Sequence, residues 1–225
     1  MKVPQSRLDF QRRERLGMVE AIWGEHKTTE QILEILRKFQ DTGELALVTR
    51  VGPEKAAELK EVFQTLEIHA LARCLTFGRI PDPLPSLGKV VVLSGGTSDL
   101  FVAAEAELAL RCHGIQVELL LDVGVAGLHR LLNQLEKLAK ANVLIACAGM
   151  EGALPTVLAG LLSQPIIGVP VSVGYGVSAR GRTALEGMLA SCSPGLMVVN
   201  IDNGYGSAMA ALRILRSSRA LSKNI

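Results

Sequence analysis

"KVVVLSGGTSD", Lys89–Asp99, carries the pattern from which the fold class follows. Its first part is a short continuous apolar run without the alternation of a half-exposed strand, so it reads as a strand covered by helices on both faces. The glycines, hydroxyls and acid that follow make a turn into a helix. The same rhythm returns with strands near Val117–Leu121, Val143–Cys147, Pro165–Val171 and Leu196–Ile201, and helical stretches between them. Alternating strands and helices predict an α/β fold, a doubly wound parallel sheet whose crossovers are right-handed, behind a smaller N-terminal α/β domain. Leu196–Ile201 reads as a buried strand, which puts Cys192 in the turn feeding it, where a thiol can meet a ligand.

The loops after these strands are "SGGTSD", "DVGVAGLHR", "AGMEGALP", "SVGYG" and "DNGYG". Ligands of open α/β sheets bind at the carboxyl edge where strand order reverses, so these loops form the candidate site. "SGGTSD" has the amides, hydroxyls and carboxylate of a phosphate-receiving turn, and equally those of an ordinary strand-to-helix turn capped by Thr97 or Ser98. His129 beside Arg130 reads as an anion clamp or as a surface pair on an amphipathic helix. Glu151 stands in an apolar neighbourhood, where desolvation would suit a general acid or base; a helix-start carboxylate is the plainer alternative.

Composition narrows the classes. The chain has 225 residues, 48% of them hydrophobic and only 4% aromatic, with a net charge of +2, which suits a small-residue α/β core and gives no footprint for nucleic acid. No Walker A loop is present, and charges or turn residues interrupt the apolar stretches before they reach the length of a membrane span. Four cysteines without a C-x-x-C pair or a secretory leader predict reduced thiols and a cytoplasmic protein. Cys74, Cys112 and Cys147 read as core or helix-surface residues, and Cys192 as either a reactive thiol or a quiet helix-terminus residue.

"FGRIPDPLPSLG", Phe77–Gly88, has linker composition and predicts two domains, 1–86 and 87–225. In the first, Thr28 and Gln31 form a capping box opening a helix to Gln40, "LALVTR" is a strand, Pro53 begins a second helix and Ile68–Thr76 a further strand. Arg12, Arg13, Arg15 and Lys27 read as a solvated face or as phosphate contacts across a subunit boundary.

Taken together, "SGGTSD", "DVGVAGLHR", "AGMEGALP", "SVGYG", "SCSPG" and "NIDNGYG" resemble the LarB family, the carboxylase and hydrolase that begins synthesis of the nickel-pincer nucleotide cofactor. The likeness extends through "LDFQRRERLGMVEAI" and Lys27, with Val19 where the family has proline and His26 where it has glycine. The C-terminal half also resembles PurE-class aminoimidazole ribonucleotide carboxylases. That class has histidine in "AHLPG", where Ala153 stands here.

The LarB resemblance implies a PurE-like catalytic domain with flavodoxin-like winding, acting on nicotinic acid adenine dinucleotide and carbon dioxide or bicarbonate. It further implies magnesium, no tightly bound organic cofactor, no nucleic acid or membrane partner, and a homo-oligomer, octameric by analogy. Cys192 would add next to the ring nitrogen of the pyridinium, and Glu151 would be the base. Ser94, Gly95, Thr97, Ser98 and Asp99 would hold phosphate and ribose. Asp122, His129, Arg130, Gly149 and Met150 would shape the ring and anhydride pocket, together with Tyr175, Gly176, Asn203, Gly204 and Gly206. The rival expectations are a purine-pathway carboxylase or mutase, which would survive loss of Cys192, and a dinucleotide-binding regulatory module that consumes nothing.

Overall fold

A left-handed Gly17 ends the first short helix, α1 (Arg12–Leu16), and the chain then enters strand β1 (Ala21–Trp23). The computed structural model describes residues 7–222, which divide into two units at Pro81–Asp82. In the N-terminal unit, Thr28 caps α2 (Thr29–Thr42) through a complete capping box with Gln31, as the spacing predicts. Strand β2 (Ala46–Thr49) leads to α3 (Pro53–Val62), which begins at the predicted proline. The expected strand Ile68–Thr76 is instead a pair, β3 (Glu67–His69) and β4 (Cys74–Phe77), joined by a tight turn in which Arg73 is left-handed. The sheet order is β1-β2-β4-β3, with β4 antiparallel to both neighbours. Its core packs Ile32, Leu36 and Phe39 of α2 and Leu59 of α3 against Val48 and Leu75.

The C-terminal unit begins its sheet with β5 (Lys89–Ser94), followed by α4 (Leu100–Arg111) and β6 (Gln116–Leu120). Two short helices, α5 (Leu128–Leu132) and α6 (Leu135–Leu138), precede β7 (Val143–Ala148). Helix α7 (Ala153–Leu161), β8 (Ile166–Pro170), α8 (Arg182–Leu189), β9 (Met197–Val198) and α9 (Gly204–Ser222) complete the unit. All strand pairs are parallel in the order β6-β5-β7-β8-β9, the predicted winding. Leu131, Leu138, Leu158 and Met188 cover one face, and α4 and α9 cover the other.

One strand differs from expectation. Leu196–Ile201 contributes a ladder of only Met197 and Val198, and the segment is half-buried or exposed throughout. It is the sheet edge, with β8 as its one partner, so burial on both faces is not required of it.

Candidate functional site

Because β5 to β6 runs one way and β6 to β7 crosses back over β5, strand order reverses between β5 and β7. A cavity of about 540 Å³ opens there at the carboxyl edge, within the usual range for a small-molecule site. Loops after four strands line it. Small residues let those loops touch through their backbones: a Cβ on Gly124 would stand 2.5 Å from the Gly95 carbonyl oxygen, and one on Gly149 would collide with the Val173 carbonyl.

From the β5 loop come Gly95, Ser98 and Asp99. Asp99 is buried, and its Oδ2 accepts the Gly96 N–H at 2.8 Å. Burial pushes its carboxyl above the ordinary 3.8, helped by the nearby charge of Asp202 and opposed by backbone N–H groups of Gly96, Gly149 and Gly95. Ser94 is fully buried beneath the site rather than in its wall, and its Oγ accepts the Asp122 N–H at 3.2 Å. Thr97 is exposed in the same turn and does not line the cavity.

The β6 loop presents Arg130, whose Nη1 pairs with Asp122 Oδ2 at 2.6 Å. Asp122 and the exposed His129 lie outside the lining. The β7 loop gives Gly149, Met150, Glu151 and Ala153, and Met150 holds a left-handed φ of 54° that is uncommon for a long side chain. Glu151 is exposed at the rim, so the desolvated setting expected for it is corrected: α7 starts beside the turn but leaves the carboxylate facing water. The β8 loop adds Val173, Gly174 and Tyr175, the last 79% exposed, while Gly176 is exposed outside the lining.

The β9 loop acts from behind. Asp202 Oδ1 accepts the Ser172 N–H at 2.8 Å and ties this loop to the β8 loop. Asn203 Oδ1 accepts the Gly206 N–H at 2.8 Å, and Gly204 sits where a Cβ would meet the Val102 carbonyl. Asn203, Gly204 and Gly206 thus begin α9 and seat it on α4, and they do not line the cavity.

Cys192 is the one exposed cysteine of four, as its turn position predicts. It stands outside the cavity lining, between Ser191 and Ser193, which bond to the Thr156 hydroxyl and carbonyl of α7. The other three cysteines are buried, with Cys112 pushed up to about 12 by burial. Arg12, Arg15 and Lys27 belong to the N-terminal unit, where Arg15 pairs with Asp9 at 2.5 Å and Arg12 is half-buried. Among the described residues no group of three or more His, Cys, Asp or Glu side chains is arranged to hold a metal. No helix of the described residues is long and apolar enough to cross a membrane.

Sequence reasoning named the loops but missed several of their wall residues. Val125, Ala126, Ala148 and Leu154 line the cavity as apolar residues and carry no chemical signal. Asp202 was legible only as part of "DNGYG".

Residues 2–79 match the family described as the LarB/PurE-like N-terminal domain, and residues 89–225 match the AIR carboxylase family. An uncharacterized protein of Methanocaldococcus jannaschii is 37% identical over 214 residues, covering 91% of this chain and 82% of that one. The N5-carboxyaminoimidazole ribonucleotide mutase of the same organism is 36% identical over 133 residues, covering 56% of this chain and 78% of that one. A crystal structure of a Treponema denticola PurE2 variant matches with a TM-score of 0.44 and 19% identity, over 60% of this chain and 92% of that one.

Proposed function

The chain belongs to the LarB family of PurE-related proteins, with a LarB-type N-terminal domain ahead of an AIR carboxylase domain, and from that premise we propose its reaction. It carboxylates the pyridinium ring of nicotinic acid adenine dinucleotide and hydrolyses the phosphoanhydride, giving pyridinium-3,5-biscarboxylic acid mononucleotide and AMP. The observation that carries this reading is the pairing of Glu151 and Ala153 in the cavity wall. The methyl group at 153 has no proton to give, where the purine carboxylases place an imidazole, while the carboxylate two residues earlier can take one.

A pyridinium ring is too electron-poor to attack carbon dioxide. Addition of the Cys192 thiolate turns it into a neutral dihydropyridine whose ring carbon five is enamine-like. That carbon bonds to carbon dioxide, Glu151 removes its proton, and the returning electron pair expels the thiolate and restores the aromatic cation. The net change is carbon dioxide in and one proton out, with no redox step. The anhydride is then split by water. Ser98 and the loop amides suit the mononucleotide phosphate, Asp99 accepts from ribose hydroxyls, and Arg130 pairs with the anhydride.

The thiol stands outside the cavity of a single chain, in a turn bordered by exposed Leu189 and Met197. The reading therefore includes assembly, an octamer by analogy, that brings a thiol to each cavity. A cytoplasmic setting keeps that thiol reduced.

Cys192→Ala and Glu151→Gln test the roles. With dinucleotide, bicarbonate and magnesium, mass spectrometry is expected to show both products from the parent and no ring carboxylation from Cys192→Ala. Glu151→Gln should lose at least about a hundredfold in rate, the usual worth of a positioned base. The likeness to the mutases makes the purine reaction the runner-up, a reaction that would survive loss of Cys192; undiminished ring carboxylation by Cys192→Ala would remove the thiol from the mechanism.

A further inference from the structure

Arg130 is the cation of the cavity wall, and its guanidinium meets Asp122 and Gly127. Its Nη1 lies 2.6 Å from Asp122 Oδ2, while Asp122 itself stands outside the lining. Its guanidinium also lies across the backbone of Gly127: a Cβ there would stand 2.5 Å from Nε, 3.0 Å from Nη2 and 3.1 Å from Cζ. Asp122 is fixed in turn. Its φ is 56°, a conformation that Asp tolerates better than most residues, and its N–H is held by the buried Ser94 Oγ at the end of β5. The chain of support therefore runs from the floor of the sheet through Ser94 to Asp122 and on to the arginine fork.

We propose that Asp122 is the positioning residue of an anion clamp, holding Arg130 flat over Gly127 and aimed at a phosphate-bearing ligand before the ligand arrives. The proposal rests on the reading above only in taking the cavity as a site for a phosphorylated molecule. It assigns Asp122 a role opposite to that of a ligand contact. A carboxylate at the mouth of such a site repels the ligand, and its worth lies in the side-chain freedom it removes from arginine in advance.

The two effects have opposite signs, which makes the proposal testable. If Asp122 acted only through its charge, Asp122→Asn would bind an anion more tightly, and the gain would shrink in high salt. A positioning residue predicts weaker binding despite the lost repulsion, by about tenfold, as a floppy fork replaces a preset one.

Dissociation constants for nicotinic acid adenine dinucleotide, and separately for inorganic pyrophosphate, would be measured by calorimetry at low and high salt. The proteins are the parent, Asp122→Asn, Arg130→Lys and the double variant, each checked by circular dichroism. Asp122→Asn is expected to weaken both probes, and the double variant to bind no worse than Arg130→Lys alone, because the two residues act as one unit. Gly127→Ala keeps the carboxylate and displaces the fork, so it gives the same weakening should Asp122→Asn fold poorly. Tighter or unchanged binding by Asp122→Asn, or full additivity with Arg130→Lys, overturns the proposal. A parent that binds pyrophosphate but not the dinucleotide sinks the dinucleotide reading, and the pyrophosphate series still decides on Asp122. A parent that binds neither overturns both.

Discussion

Asp99 shows how the site sets residue chemistry against stability. Burial raises its carboxyl above 3.8 even though backbone N–H groups of Gly96, Gly149 and Gly95 pull the other way. The folded protein therefore holds this proton more tightly than the unfolded chain does. Its contribution to stability is full below 3.8 and is lost as the pH rises through the folded value. Asp99→Asn is expected to flatten the pH dependence of the urea midpoint in the window that opens upward from 3.8 while weakening ligand binding; an unchanged slope would contradict the assignment. Cysteine reactivity is the second residue-scale test. Maleimide should modify Cys192 alone in the folded protein, since the other three thiols are buried and burial pushes Cys112 to about 12. Rapid labelling of two or more thiols before unfolding would contradict it. The turn position of Cys192 was legible because "SPG" forbids a continuing helix. The exposure of Glu151 was not, because apolar neighbours in sequence say nothing about which side chain faces water at a loop rim.

Among the elements, the central strands β5, β7 and β8 were legible in their apolar runs, because strands buried on both faces need them, while their order in the sheet came from the family resemblance. The edge strand β9 and the β3–β4 pair were not. Their ladders are two to four residues long, and pairing with a neighbour rather than composition defines them. β1 is equally short and follows a charged segment, so it carries no periodic signal. The glycines of "NGYG" read as pocket residues in sequence, yet Gly204 brings the start of α9 against α4, where a Cβ would meet the Val102 carbonyl and come within 2.9 Å of Glu105 Oε2. Gly204→Ala should therefore lower stability by about 1–3 kcal/mol through overpacking, seen as a lower urea midpoint at constant m-value. A variant as stable as the parent would show that the two helices can part without cost.

The whole molecule joins two units, each with a core of its own. The catalytic proposal rests on the second, whose cavity carries Glu151 and Arg130 but not the thiol. Exposed apolar side chains stand near both places: Tyr175 and Val177 on the β8 loop, Leu189 and Met197 beside Cys192. The proposed route of the thiol to a cavity requires assembly, so sedimentation is expected to give a multiple of the 24.0 kDa chain, and a monomer at assay concentration would remove that route. Oligomeric state was beyond the sequence, because strand periodicity reports what a chain buries within itself and not what it buries against copies.

Addition of carbon to a pyridinium ring is the defining step of the proposed reaction. It is tested most directly by incubating the purified protein with nicotinic acid adenine dinucleotide and carbon-13 bicarbonate and reading the products by mass spectrometry. One labelled carboxylate is expected on the ring of the released mononucleotide, with one AMP for each. Unlabelled mononucleotide, or dinucleotide bound and returned intact, would contradict it.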